Sequence, residues 1–307
     1  MGSVRITQQL LVSRVLNNLN DQQRRILALQ DQLSTGQRVN QPSDDPLAAR
    51  RAIAAQAEIA KNEQYLTNIS NAGPGLTETE TALLTVVDIL QRANELALQG
   101  ASGAIDSEQR DQIATEINQL LESMLVQGNQ TANGRYLFGG SRTLDAPFVA
   151  TRDGSGEITA VAYEGNDTKV SIEISEGVRV EVNETGEDVF TQTISGTVDI
   201  FQTLIDSRDN LRADDLDALQ TRLAELDLAQ DQVLVAVSRV GAVQNRLDDT
   251  EANLSTISVQ LEQVISDNID ADLAEVIVEL NAQSNAFQAS LSAAARVIQP
   301  SLLQFLA

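Results

Sequence analysis

The 307-residue chain contains no cysteine, no histidine and no tryptophan. Disulfides, thiol nucleophiles, Cys/His zinc sites and histidine-based triads are therefore excluded together. An all-carboxylate calcium site stays formally open, yet the EF-hand spacing of acidic residues around a glycine is missing. Aromatics are scarce, with three tyrosines and six phenylalanines, and 21 basic residues face 44 acidic ones for a net charge of -23. Few stacking platforms and a field that repels phosphates argue against nucleic-acid binding. No stretch approaches the roughly 18 continuous apolar residues of a membrane span, so no membrane insertion is expected. Arg5, Gln8, Gln9, Arg14 and Asn17 interrupt the N-terminal apolar residues where the core of a signal peptide would lie. A cleaved signal is not expected, which makes the chain cytosolic unless it leaves by a route that reads no such signal.

What the chain does have is heptad spacing at both ends. Val12, Val15, Leu19, Ile26, Leu29 and Leu33 alternate steps of three and four, with Gln22 as the polar member. Near the other end the same alternation gives Leu273, Ile277, Leu280, Ser284, Phe287, Leu291, Ala294, Ile298 and Phe305, with Ser301 completing it. An apolar stripe on a terminal helix needs a partner, either the other terminus or the same helices of neighbouring molecules. Between Leu280 and Ala307 the one charged side chain is Arg296, and the rest is rich in Ala, Ser, Gln and Asn. A solvated helix would show a charged face, so this composition favours a helix packed on several sides by other subunits. Charge is divided unevenly as well: residues 1–65 carry eight Lys/Arg and six Asp/Glu, whereas 196–307 carry six and eighteen.

The five prolines mark segment ends. Gly36 suits a left-handed helix stop, and Ser43-Asp44-Asp45-Pro46 supplies a capping carboxylate with proline at the first helical position. A helix should run from Pro46 to about Asn71 and break at Ala72-Gly73-Pro74-Gly75. Thr77 and Glu80 then form a capping box for a helix faced by Leu83, Val86, Leu90, Ala93 and Ala97 that ends at Gly100. Asp106 caps another, striped by Ile113, Ile117, Leu120 and Met124 and closed near Gly128. After Asp214 the alternation continues from Leu216 through Leu226, Val240 and Leu254 to Ile265. Such a helix would be roughly 80 Å long at 1.5 Å per residue.

Between about Thr143 and Ser195 the period changes to two, in Ile158/Ala160/Ala162, Val170/Ile172/Ile174 and Val178/Val180/Val182. Turns fall at Asp153-Gly154-Ser155-Gly156, Glu164-Gly165-Asn166-Asp167 and Glu176-Gly177. The expected fold is mainly α with a small β insertion: an elongated helical bundle or coiled coil formed by the N- and C-terminal halves, with an antiparallel β domain at the middle of the chain. In this division, residues 1–40 and 270–307 are terminal assembly segments, disordered in the monomer. Residues 41–142 and 196–269 form a helical stalk, and 143–195 a β-rich outer domain. An ordinary helical bundle is the competing reading, since such seams occur in unrelated proteins.

Leu33-Ser34-Thr35-Gly36-Gln37-Arg38-Val39-Asn40, followed by Ser43-Asp44-Asp45-Pro46-Leu47-Ala48, resembles the N-terminal signature of the bacterial flagellin superfamily. Gly134-Arg135-Tyr136-Leu137-Phe138-Gly139-Gly140, Ala146-Pro147-Phe148, Tyr163-Glu164-Gly165 and Val182-Asn183-Glu184-Thr185-Gly186 before Val189-Phe190 are similar to the hook-filament junction members of that superfamily. Val240 to Leu247 and Ile265 to Glu275 are shared across the superfamily, and Pro300 departs from a helix running to the terminus.

The resemblance implies a structural protein of the bacterial flagellum, secreted through the flagellar type III pathway without a cleaved signal and located outside the cell. Its implied partners are FlgK and flagellin subunits, with self-association in a ring at the flagellar tip and an export chaperone on the C-terminal segment. No enzymatic activity and no cofactor are implied. Leu33, Ser34, Gly36, Arg38, Asn40, Asp44, Asp45 and Pro46 carry the family motif, for which capping and turn chemistry already accounts well at the asparagine and the aspartates. Flagellin itself is the alternative within the superfamily. A secreted pore-former would need a longer hydrophobic hairpin than any present. An enzyme inserted in the middle would have about fifty residues and neither His nor Cys.

Overall fold

A computed structural model describes residues 2–191 and 196–298. Among the described residues, six α-helices and three short hairpins follow one another: α1 (Gly2–Thr35), α2 (Pro46–Gly100), α3 (Ser107–Gly128), β1 (Thr131–Ala132), β2 (Arg135–Tyr136), β3 (Phe148–Arg152), β4 (Ile158–Tyr163), β5 (Ser171–Ser175), β6 (Val178–Glu181), α4 (Ile200–Arg212), α5 (Leu216–Ile269) and α6 (Leu273–Ile298). A five-residue π-helical turn, Glu187–Thr191, precedes α4. The chain divides into two compact units, one made of residues 1–61 and 256–307, the other of residues 62–255.

In the unit of residues 62–255 the predicted faces are buried. Leu83, Val86, Leu90, Ala93 and Ala97 of α2 are wholly enclosed, as are Leu219, Leu226 and Val233 of α5. Asp106 caps α3 by accepting the Gln109 N–H at 2.8 Å, while the Gln109 side chain returns to the Asp106 N–H at 3.4 Å. The break expected at Ala72-Gly73-Pro74-Gly75 does not occur: α2 runs through Pro74. Proline inside a helix costs about 3 kcal/mol. Burial of Ile69, Leu76 and Leu83 on one continuous face offsets it, at about 1.5–3 kcal/mol for each large apolar side chain. Thr77 accordingly makes no capping box, and its hydroxyl donates back to the Gly73 carbonyl at 3.2 Å.

The central segment forms three separate two-stranded antiparallel ladders, β1–β2, β3–β4 and β5–β6. The first was not expected, nor was α4. With Thr151 opposite Ala160 and Arg152 opposite Ile158, Thr159 is the extra residue of a bulge in β4, which changes the inward face of that strand. Ile158 is buried and Val161 and Tyr163 half-buried, whereas Ala160 and Ala162, expected to share the face of Ile158, are exposed.

The hairpins contribute to the same apolar cluster as the helices, through Phe148, Ile158, Ile174 and Val180. Phe148 sits at its centre, with ring centroids 5.1 Å from Phe190, 5.0 Å from Phe201 and 5.2 Å from Tyr163. Gly128 is required here because a Cβ would lie 2.8 Å from Phe148 Cδ2. Arg208 on α4, almost fully buried, donates to Ile158 O at 2.8 Å and Asn118 Oδ1 at 2.9 Å, tying β4 to α3.

Candidate assembly surface

The unit that joins the chain ends carries the residues singled out by the terminal heptads and the family motif. The motif residues build a turn. Gly36 adopts φ +73° and its N–H closes on Gln32 O at 2.8 Å, ending α1 as the sequence suggested. Its own carbonyl then accepts the Ala271 N–H at 2.9 Å, while Ile269 O accepts the Arg38 N–H at 2.7 Å. Arg38 extends this junction, with Nη2 donating to Asn268 O at 2.7 Å and Nη1 lying 3.5 Å from Asp45 Oδ2.

The two aspartates divide the capping work. Asp44 Oδ2 accepts the N–H groups of Asn40 at 3.1 Å and Gln41 at 2.9 Å, which closes the turn. Asp45 Oδ1 accepts those of Ala48 at 3.0 Å and Leu47 at 3.1 Å and caps α2, with Pro46 at its first position. The Ala48 N–H, then the Leu47 N–H and the Arg38 guanidinium, hold the Asp45 carboxyl below its ordinary 3.8. Ser34 and Leu33 lie exposed in the last turn of α1.

Helices α1 and α6 run antiparallel, pinned by an isolated bridge between Gln37 and Asp270 and by Gln22 Nε2 donating to Ser290 Oγ at 3.1 Å. Along α1 the inward positions are Val12, Val15, Leu19, Gln22, Ile26 and Leu29, as the heptad predicts. The face then continues through Gln32, and Leu33 is 38% exposed. A straight helix at 3.6 residues per turn drifts out of a 3.5-residue repeat, which accounts for the slip.

On α6 the inward face is Val276, Leu280, Gln283, Ser284, Phe287, Ser290 and Ala294. Leu280 and Phe287 are on it as expected, but Leu273, Ile277 and Leu291 are not, each being 45–46% exposed. The helix therefore bears two apolar stripes that share Leu280 and Phe287, one against α1 and one left largely exposed among the described residues. The side chain of Ile298 and the whole of Phe305, Ser301 and Pro300 lie outside the described residues.

The seam is thin. Leu29, Val276 and Ala294 are buried, and its other described members are half-exposed. Apolar side chains stay exposed on both helices: Leu10, Leu16 and Leu27 on α1, and Leu273, Ile277, Val278 and Leu291 on α6. Exposed apolar side chains flanking a seam, as Leu16, Leu27, Leu273, Ile277 and Leu291 do, mark an interaction surface. No group of three or more potential metal ligands occurs among the described residues, and no described helix is long and apolar enough to cross a membrane.

Comparison with known proteins agrees with this geometry. Residues 6–143 match the bacterial flagellin N-terminal helical region, and residues 216–306 match the bacterial flagellin C-terminal helical region. The chain is 26% identical over 311 residues to flagellar hook-associated protein 3 of Escherichia coli (strain K12), covering 94% of this chain and 96% of that one. It is 28% identical over 196 residues to the protein of the same name from Salmonella typhimurium, spanning 64% of this chain and 59% of the relative. Among solved structures, Bacillus cereus FlgL superposes with a TM-score of 0.57 at 27% identity, over 69% of this chain and 99% of that one. With both terminal helical regions matched and hook-associated protein 3 of Escherichia coli aligned along nearly its full length, the chain belongs to the flagellin superfamily, in its hook-associated protein 3 (FlgL) group.

Proposed function

We propose that the chain is a structural subunit of the bacterial flagellum at the junction between hook and filament, contacting FlgK on one side and flagellin on the other and forming a ring with its own copies. It acts by geometric adaptation between two lattices, without chemical turnover. The chain leaves the cell unfolded through the flagellar type III channel, accompanied by a chaperone on its C-terminal segment. The observation that carries the reading is the exposed stripe Leu273, Ile277 and Leu291 beside the α1–α6 seam. These side chains are exposed in the single chain, and burial of each by a neighbouring subunit is worth up to about 1.5–3 kcal/mol.

The test is Ile277→Asp combined with Leu291→Asp in the source bacterium. The double variant should fold with an unchanged melting curve, and cells carrying it should bear hooks without filaments while flagellin accumulates in the medium. Normal motility would remove the assignment.

A filament subunit is the second reading, because the two matched helical regions are common to flagellin and its hook-associated relatives. Seeded elongation separates the two. A filament subunit extends seeds into long filaments, and a junction subunit does not.

A further inference from the structure

Two helix faces near the α1–α6 junction carry opposite charge, and each includes one exposed aliphatic side chain. At the start of α2, Ala48, Ala49, Ala52 and Ala55 are buried, which turns Leu47, Arg50, Arg51 and Ala54 outward. Leu47 is 51% exposed, and neither arginine has an ion pair among the described residues. At the start of α6, Val276 is buried against α1, which turns Glu275, Val278 and Glu279 outward. Val278 is 70% exposed, and the two glutamates have no ion pair among the described residues, although Arg25 and Arg38 line the cleft beside them. At helical spacing, positions three and four apart lie on one face, so Leu47 sits between Arg50 and Arg51, and Glu275 between Val278 and Glu279.

We infer that the Leu47/Arg50/Arg51 face of one copy docks on the Glu275/Val278/Glu279 face of the next. The occupant is a second copy because both halves of the complementary pair are present on every chain. A contact between two different faces is heterologous, and such contacts close into rings or propagate as helices, as a junction subunit requires. The opposed charges also reject the wrong pairings, since either face set against its own kind places like charges together. This inference rests on the junction reading.

The absence of native cysteine makes cross-linking unambiguous. Ala54→Cys and Val278→Cys are introduced in separate full-length chains, expressed together in the source bacterium, and oxidised in the purified hook–filament fraction. The mixture should give a disulfide-linked dimer that neither variant gives alone. Adding Arg50→Glu and Arg51→Glu should reduce the dimer at least tenfold, and combining these with Glu275→Arg and Glu279→Arg should restore it. A dimer from one variant alone, no dimer from the mixture, or no rescue by the exchanged charges overturns the inference. Wild-type chain present in the fraction with no cross-link removes this contact and leaves the junction reading standing, whereas wild-type chain absent from the fraction removes both.

Discussion

Arg38 Nη2 donates to the Asn268 carbonyl across 2.7 Å, joining two positions 230 residues apart. The same guanidinium lies beside Asp45, so one side chain ties the end of α5 to the cap of α2. Replacement of Arg38 by Lys keeps the charge but loses the fork that serves both partners. The expected outcome is faster protease cleavage near residue 40 with an unchanged core, measured by limited proteolysis and mass spectrometry.

The depressed Asp45 carboxyl gives a pH signature. A group whose folded value is lowered contributes stability above its unfolded value and loses it as pH falls through the folded one. Asp45→Asn keeps an acceptor for the Ala48 N–H and removes the charge facing Arg38. The variant should therefore melt below the parent at pH 7. The gap should close as pH drops beneath the ordinary 3.8, when Asp45 itself becomes neutral. Thermal melts between pH 7 and pH 2 check this.

Gln22 lies within the α1–α6 seam with Nε2 bonded to Ser290 and Oε1 buried without a partner among the described residues. Gln22→Leu removes an unsatisfied acceptor and adds apolar contact, so the seam of the isolated protein should become more protease-resistant. In the parent, with helices that are marginal alone and a half-exposed seam, trimming should remove roughly the first forty and last thirty-five residues. Equal resistance of parent and variant would refute the seam's role in holding the ends.

Two glycines predict opposite signs. At Gly241, inside α5, an added Cβ meets nothing within 4 Å, so Gly241→Ala should stabilise by about 1 kcal/mol through helix propensity. At Gly128 the Cβ would meet Phe148 at 2.8 Å, so Gly128→Ala should destabilise by about 1–3 kcal/mol through overpacking. Urea denaturation of the two variants reads both.

Arg208→Leu should cost about 1–3 kcal/mol for each buried acceptor it orphans, the Ile158 carbonyl and Asn118 Oδ1. Because this arginine connects β4 with α3, near-ultraviolet signals from the phenylalanine cluster should fall together with the helical signal.

The long helices were legible because their periodicity is dense: Leu219, Leu226, Val233, Val240, Leu247 and Leu254 all point inward where the spacing put them. Pro74 is a local breaker signal that the apolar face continuing on both sides of it, through Ile69, Leu76 and Leu83, overrides. The register of α6 was legible only in part. Leu280 and Phe287 belong to both of its stripes, and which stripe meets α1 depends on the partner helix, information that the α6 sequence does not contain. Helix α4 is hard to read from sequence because its cap, Asp199, and its buried Arg208 and Ser207 are polar, although each is satisfied by the fold. The motif turn was the clearest part of the site, since Gly36, Asp44, Asp45 and Pro46 each have a single well-defined backbone task.

The seam between Gln22 and Ser290 closes a loop of 268 residues. Loop-closure entropy makes this pairing slow to form relative to the local contacts of α3 or the hairpins. It also makes the seam a proofreader of chain integrity, since a product lacking either α1 or α6 cannot form it. The exposed stripe of α6 then has no rigid backing on which to be displayed. A proteolysed or prematurely terminated molecule would arrive with its core folded but without the composite face that a growing structure could recognise.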